Sequence, residues 1–237
     1  MAGLKGNNLL VSSSIQYVIN VLCTVPALLW VDRWGRRPTL ILGAIGMLTF
    51  MYANGAMLAV YGQPAPPGGV NHIKAVSWQI SGAPSRGVIA CTYLFVASFA
   101  VSWGPVSWIY TPELFPLRVR GKANALTTSF NWAFNFALGY FVPPAFENIK
   151  WKVYILFGVF CTVMCIHAFF MFPETSGKTL EEVETIFTDP TGIPYIGIPA
   201  WKTKGSFARA TVLEQTGTDE EKLATSAHHE TTESKAA

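Results

Sequence analysis

Five side chains stand out for the chemistry they could do. Asn20, Trp108, Asn131, Trp132 and Asn135 all lie inside long apolar stretches of the sequence. A carboxamide both donates and accepts hydrogen bonds, and an indole adds a flat apolar face with one N–H donor. That combination suits a neutral, polyhydroxylated solute. Asn131 and Asn135 are four residues apart, so a helix puts them on one face. Each residue alone also has a plainer use. A lone asparagine in an apolar helix bonds helices together, and Trp103 and Trp151 suit a membrane interface.

A second group is charged. Asp32, Arg33, Arg36 and Arg37 follow one apolar stretch, with Gly35 allowing a tight turn; Glu113, Arg118 and Arg120 follow another. Opposite charges at helix ends can form a network that breaks when the helices part, which a two-state gate requires. The plainer reading is a set of solvated ion pairs next to a basic loop. Between these groups lies Ser102-Trp103-Gly104-Pro105, where Gly104 and Pro105 weaken the helical hydrogen-bond ladder and permit a break. Transporters use broken helices near their sites, and a static kink is the alternative.

Other chemistry finds little support. The four cysteines, Cys23, Cys91, Cys161 and Cys165, lie in apolar stretches without zinc-type spacing and read as reduced packing residues. His167, near the end of the last apolar stretch, is a weak candidate for proton coupling. No nucleophile with a base, metal cluster or phosphate loop is evident, so no enzyme, cofactor or metal is expected. No run of Lys and Arg makes a nucleic-acid stripe.

The elements that must position these residues are membrane spans. Of the 237 residues, 51% are hydrophobic and 13% charged, against about 25% charged in a typical soluble domain. All 14 acidic residues lie outside five apolar stretches, at 8–31, 39–61, 88–110, 124–146 and 153–172, which hold no Lys or Arg either. Each is long enough to cross a bilayer as a helix. Fold class is therefore all-α, a polytopic membrane protein with five transmembrane helices.

Loops 32–38 and 111–123 each carry three basic residues, whereas 62–87 carries two across 26 residues. Dense basic loops face the cytosol, which puts the N-terminus outside and the C-terminus inside. With no leader ahead of the first span, Met1 is expected to lie inside a longer protein. After Phe172, a short cytosolic helix is expected over 173–187, with Thr179 as its N-cap and Glu182 three residues on. Residues 188–237 read as a cytosolic tail, largely disordered where Ser, Thr, Glu and Ala dominate.

Four motifs carry a family resemblance. These are Asp32-Arg33-Trp34-Gly35-Arg36-Arg37, Trp103-Gly104-Pro105-Val106-Ser107-Trp108 through Pro112-Glu113-Leu114-Phe115-Pro116, Arg118-Val119-Arg120-Gly121-Lys122-Ala123, and Pro173-Glu174-Thr175-Ser176-Gly177-Lys178. In order and spacing they resemble the sugar porters of the major facilitator superfamily, the hexose transporters, most of all the fungal ones. The resemblance covers about residues 1–190 and implies that the five spans are equivalent to spans 8–12 of a twelve-span fold. Residues 1–187 would then be part of a C-terminal transmembrane domain. It also implies that Asn20, Trp108, Asn131, Trp132 and Asn135 line the sugar site. Asp32, Arg36, Arg37, Glu113, Arg120 and Glu174 would form the cytosolic charge network.

Two features of the family pattern have no counterpart here. Span seven, with its glutamine pair and asparagine, is absent, as is the N-terminal half with the acid of proton-coupled members. Ala100 stands where some facilitative relatives carry glutamate. The expectation is transport of a monosaccharide such as glucose by alternating access, as uniport or proton symport, at the plasma membrane. The missing N-terminal half or a full-length partner would be needed. The competing readings are a transporter-like sugar sensor that signals through its tail, and an inactive remnant.

Overall fold

The computed structural model describes residues 7–65, 77–179 and 183. In chain order these form α1 (Asn7–Trp34), α2 (Arg36–Tyr61), β1 (Gln63–Pro64), β2 (Trp78–Gln79), α3 (Ala83–Val101), α4 (Trp103–Glu113), α5 (Leu117–Asn148) and α6 (Lys152–Met171). The all-α expectation holds apart from the two-residue antiparallel pair β1–β2, which pairs Gln63 with Gln79 and Pro64 with Trp78.

Four stretches are long and apolar enough to cross a membrane: Leu10–Trp34, Arg36–Tyr61, Ala83–Glu113 (α3 and α4 together) and Lys152–Met171. The fifth expected span falls on α5, which has 32 residues and so a length of about 48 Å, but it is not among the helices apolar enough to count as a span. It is the least apolar of the six helices, because Arg118, Arg120 and Lys122 stand in its first turns and Asn124, Thr127, Thr128, Asn131 and Asn135 interrupt the sequence that follows.

The helices run past the apolar stretches at nearly every end. Asp32 and Arg33, expected in a loop, belong to the last turn of α1, and Gly35 alone separates α1 from α2. Gly35 has a φ of 87°, a backbone conformation open to glycine and strained for residues with a Cβ. Likewise the loop expected at 111–123 shrinks to Leu114–Pro116. Hydrophobicity marks only the part of a helix inside hydrocarbon, so charged end-turns escape it. The helix expected over 173–187 does not begin at Pro173. Residues 173–179 are non-helical with a turn at Ser176 and Gly177, and the Val183 N–H donates to the Thr179 carbonyl at 3.1 Å. Glu182, the rest of that segment and the tail fall outside the described residues.

α2 is the central helix, packed against α3 on one side and α6 on the other. Small residues let the backbones approach. Gly55 meets Ile155 and Gly158 meets Tyr52, across α2–α6. Gly43 and Gly46 face Ser102 and Ser98. Polar pairs tie the same seams: Asn54 Nδ2 donates to Thr92 Oγ1 at 3.4 Å, and the Tyr52 and Thr162 hydroxyls are 3.1 Å apart.

Two apolar clusters close the ends of the bundle. One gathers Val31, Leu40, Val106 and Tyr110 with Trp103 and Phe172 around them. The other gathers Leu58, Ile80 and Val88 with Trp78, Trp151 and Tyr154. Trp103 is therefore a bundle residue, its indole N–H donating to the Leu40 carbonyl at 2.9 Å. Trp151 packs beside the second cluster.

Gly43 gives a direct test of this packing. A Cβ there would overlap the Ser102 side chain, and overpacking typically costs about 1–3 kcal/mol. Gly43→Leu is expected to lower the melting temperature and the yield of monodisperse protein in detergent. Gly121→Ala is the control, because a Cβ there meets nothing within 4 Å; it leaves both unchanged.

Candidate functional site

The span at Ala83–Glu113 is not one helix. Ser102, with φ −122° and ψ −89°, separates α3 from α4. Pro105 then falls in the first turn of α4, where a missing N–H costs nothing because it would have no partner. The break thus lies two residues ahead of the Gly104-Pro105 pair. Gly104 fits close against the preceding helix, since a Cβ would stand 3.3 Å from the Phe99 carbonyl oxygen.

The broken helix forms one wall of a cleft of about 810 Å³, and α5 forms the other. Trp103, Gly104, Ser107, Trp108 and Thr111 line it from α4. Asn124, Thr127, Thr128, Asn131, Phe134, Asn135 and Leu138 line it from α5. The α5 residues recur at three- and four-residue intervals, one face of a helix. No charged side chain lines the cleft among the described residues. Asn135 Nδ2 donates to the Asn131 backbone carbonyl at 2.8 Å and reaches Asn131 Oδ1 at 3.3 Å. This orients the two amides side by side. Asn131 Nδ2 and Asn135 Oδ1 find no protein partner among the described residues.

At the end of the bundle nearest the α4–α5 turn, four segments meet on Arg36. Its guanidinium bonds Asp32 Oδ1 at 2.9 Å, Glu113 Oε1 at 2.9 Å and Ser176 Oγ at 3.1 Å. Its side chain is only 12% exposed and that of Glu113 24%, whereas that of Asp32 is 73% exposed. Glu113 also accepts the Thr175 hydroxyl at 2.6 Å.

Glu174 takes a different part. Its carboxylate accepts the backbone N–H groups of Arg36 and Arg37 at 2.9 and 3.1 Å, and that of Ser176 at 2.9 Å. The first two are the opening N–H groups of α2. A carboxylate there meets unpaired donors and the positive end of the helix dipole. Gly35 makes room for it, since a Cβ would come within 2.7 Å of Glu174 Oε2. Tyr110 completes the junction by donating its hydroxyl to the Pro173 carbonyl at 2.8 Å. Here we call this junction the latch.

The cleft and the latch can be set beside known proteins. The sequence profile described as "Sugar (and other) transporter" matches residues 1–187. The chain belongs to the sugar transporter family. It is 52% identical over 206 residues to a high-affinity glucose transporter of Kluyveromyces lactis, covering 86% of this chain and 36% of that one. It is 45% identical over 205 residues to a high-affinity glucose transporter of Candida albicans, with the same two coverages. Its fold matches the inward-open xylose transporter XylE from E. coli with a TM-score of 0.61 at 31% identity, over 76% of this chain and 36% of that one. The chain thus spans about a third of the length of the relatives it matches.

In this sugar transporter family member, three of the five residues singled out for solute share the cleft: Trp108, Asn131 and Asn135. Two do not. Trp132 is 67% exposed on an adjoining face of α5, because neighbouring helical residues point about 100° apart. Asn20 lies on α1, where its backbone carbonyl accepts the Thr24 hydroxyl at 2.8 Å. The charged set divides in the same way. Asp32, Arg36, Glu113 and Glu174 meet. The Arg37 guanidinium instead donates to the Phe169 carbonyl at 2.8 Å and lies over the Phe169 ring, 5.5 Å from its centroid. Arg120 turns back onto the Phe115 carbonyl at 3.1 and 3.2 Å. Sequence reasoning missed Thr175 and Ser176 in the latch, and Ser107, Thr111, Asn124, Thr127 and Thr128 in the cleft. The α5 set was available as a three-four spacing running back from Asn131.

Proposed function

We propose that this chain forms part of a carrier that moves monosaccharides such as glucose across a membrane by alternating access. The observation that carries the reading is the uncharged cleft, with an indole on α4 facing paired amides on α5. Such a site binds ring faces and hydroxyls and involves no covalent step. Trp108, Asn131 and Asn135 hold the solute in the cleft. Asn20 and Trp132 reach it from beside the cleft once a facing wall is in place. That wall comes from a second helical body, the N-terminal half of a twelve-span carrier or a partner chain. Residues 1–187 then belong to the C-terminal transmembrane domain, and 188–237 form a tail.

The latch end, where the basic residues gather, faces the cytosol, with the protein in the plasma membrane. The latch holds one of two states, and its opening accompanies the swing between them. The test is uptake of labelled D-glucose by cells lacking their own hexose carriers and expressing the complete protein. Saturable uptake above the vector control is expected. No uptake from protein shown to be at the membrane would overturn the reading.

A further inference from the structure

The polar lining of the cleft does not stop at Trp108, Asn131 and Asn135. On α5 it continues through Thr128 and Thr127 to Asn124, and on α4 through Ser107 to Thr111, towards the latch. From Asn135 back to Asn124 the helix rises about 16 Å, far more than a single pyranose ring needs.

The chemistry of this lower part differs from that around Asn135. The Thr127 hydroxyl donates to the Asn124 carbonyl at 3.0 Å, that of Thr111 to the Ser107 carbonyl at 2.8 Å, and that of Ser107 to the Trp103 carbonyl at 2.6 Å. Their protons are committed to their own helices, so their oxygens are acceptors towards the cleft. The Asn124 amide and the Thr128 hydroxyl have no partner among the described residues, and each can both donate and accept. Acceptors together with two ambivalent groups, and no charge, match a second set of sugar hydroxyls. On α5, Asn124, Thr127, Thr128, Asn131 and Asn135 all lie on the face that lines the cleft, where their amides and hydroxyls can serve a solute as well as a neighbouring helix.

We propose that Asn124, Thr128 and Thr111 form a second subsite for a monosaccharide, between the Trp108–Asn131–Asn135 position and the latch. It rests on the transport reading and adds a place where the solute rests on the latch side of the membrane. Binding from that side depends on it, and binding from the opposite side depends on Trp108, Asn131 and Asn135.

The test compares zero-trans influx and efflux of D-glucose in proteoliposomes holding the complete protein in one orientation. Asn124→Leu and Thr128→Val, made singly, keep side-chain size and remove hydrogen bonds. Each is expected to raise the KM on the latch side about fivefold to tenfold, the loss of one or two hydrogen bonds. The KM on the opposite side stays within about twofold. An unchanged latch-side KM in both variants overturns the subsite while wild-type transport leaves the broader reading standing. An equal rise on both sides also overturns it, by merging these residues with the central position. A wild-type protein that moves no glucose in either direction overturns both.

Discussion

Arg36→Ala is expected to cut the maximal rate of glucose uptake at least tenfold in the complete protein, at matched surface expression. Arg36 is the common partner of Asp32, Glu113 and Ser176. With Arg36 gone, Glu113 keeps only the Thr175 hydroxyl and becomes a poorly compensated charge in a largely enclosed place. Breaking one side of a buried pair typically costs about 3–5 kcal/mol, and partial exposure of Glu113 brings the figure here to the lower end. Arg36→Lys is not expected to rescue, because a point-like ammonium cannot reach three partners as a planar fork does. Asp32→Asn is the contrasting case. Its carboxylate is mostly in solvent, so the change costs about 0–1 kcal/mol. Glu174 separates charge from capping: Glu174→Ala removes the acceptors for two α2 N–H groups, a loss of about 1–2 kcal/mol, while Glu174→Gln keeps one acceptor and recovers part of it. Uptake rate with melting temperature measures all five. Wild-type uptake in Arg36→Ala would show that the latch does not bear on transport.

The second large effect is expected in the cleft. Asn135→Ala removes the amide whose N–H groups bond Asn131 and whose carbonyl has no partner among the described residues. It is expected to raise the KM for glucose about tenfold, a loss of one or two hydrogen bonds. Asn131→Ala acts in the same direction. Trp108→Ala removes an apolar platform and an N–H together, whereas Trp108→Phe removes the N–H and keeps a smaller apolar platform. If stacking dominates, Phe keeps most of the affinity; if the N–H dominates, Phe is as weak as Ala. Unchanged KM in both Asn135→Ala and Trp108→Ala would move the solute out of this cleft.

Much of the architecture was legible in the sequence because hydrocarbon tolerates so few charges. The absence of Asp, Glu, Lys and Arg from five stretches located every long helix. It could not locate their ends. Asp32 and Arg33 are helical, and nothing in their polarity separates a last turn from a loop. The break was legible in Gly104-Pro105 but placed too late, since proline is easily accommodated in a first turn and the disrupted backbone lies at Ser102. The latch was legible as charges, and so Asp32, Arg36 and Glu113 were found. What Glu174 binds was not legible, because its partners are backbone N–H groups that every residue carries. Arg37 and Arg120 donate to the Phe169 and Phe115 carbonyls and do not meet the carboxylates, for the related reason that a guanidinium donates to a carbonyl as well as to a carboxylate. In the cleft, Trp132 was grouped with Asn131 and Asn135 by residue type, whereas its position on α5 turns it to the adjoining exposed face.

The Glu174 cap has a consequence for the order in which the protein is made. The donors at the start of α2 are synthesised with Arg36 and Arg37, but their acceptor lies 138 and 137 residues further along. At ribosomal speeds of about 5–20 residues per second, that is a wait of roughly 7–28 s. Glu113 arrives earlier and can engage Arg36 by itself. The nascent chain therefore passes through a stage in which Arg36 is paired while α2 is still uncapped. Pro173–Ser176 ends that stage, so a ribosome that stalls before Glu174 leaves a bundle with α1 to α6 all made and an open N–H end on the central helix, α2.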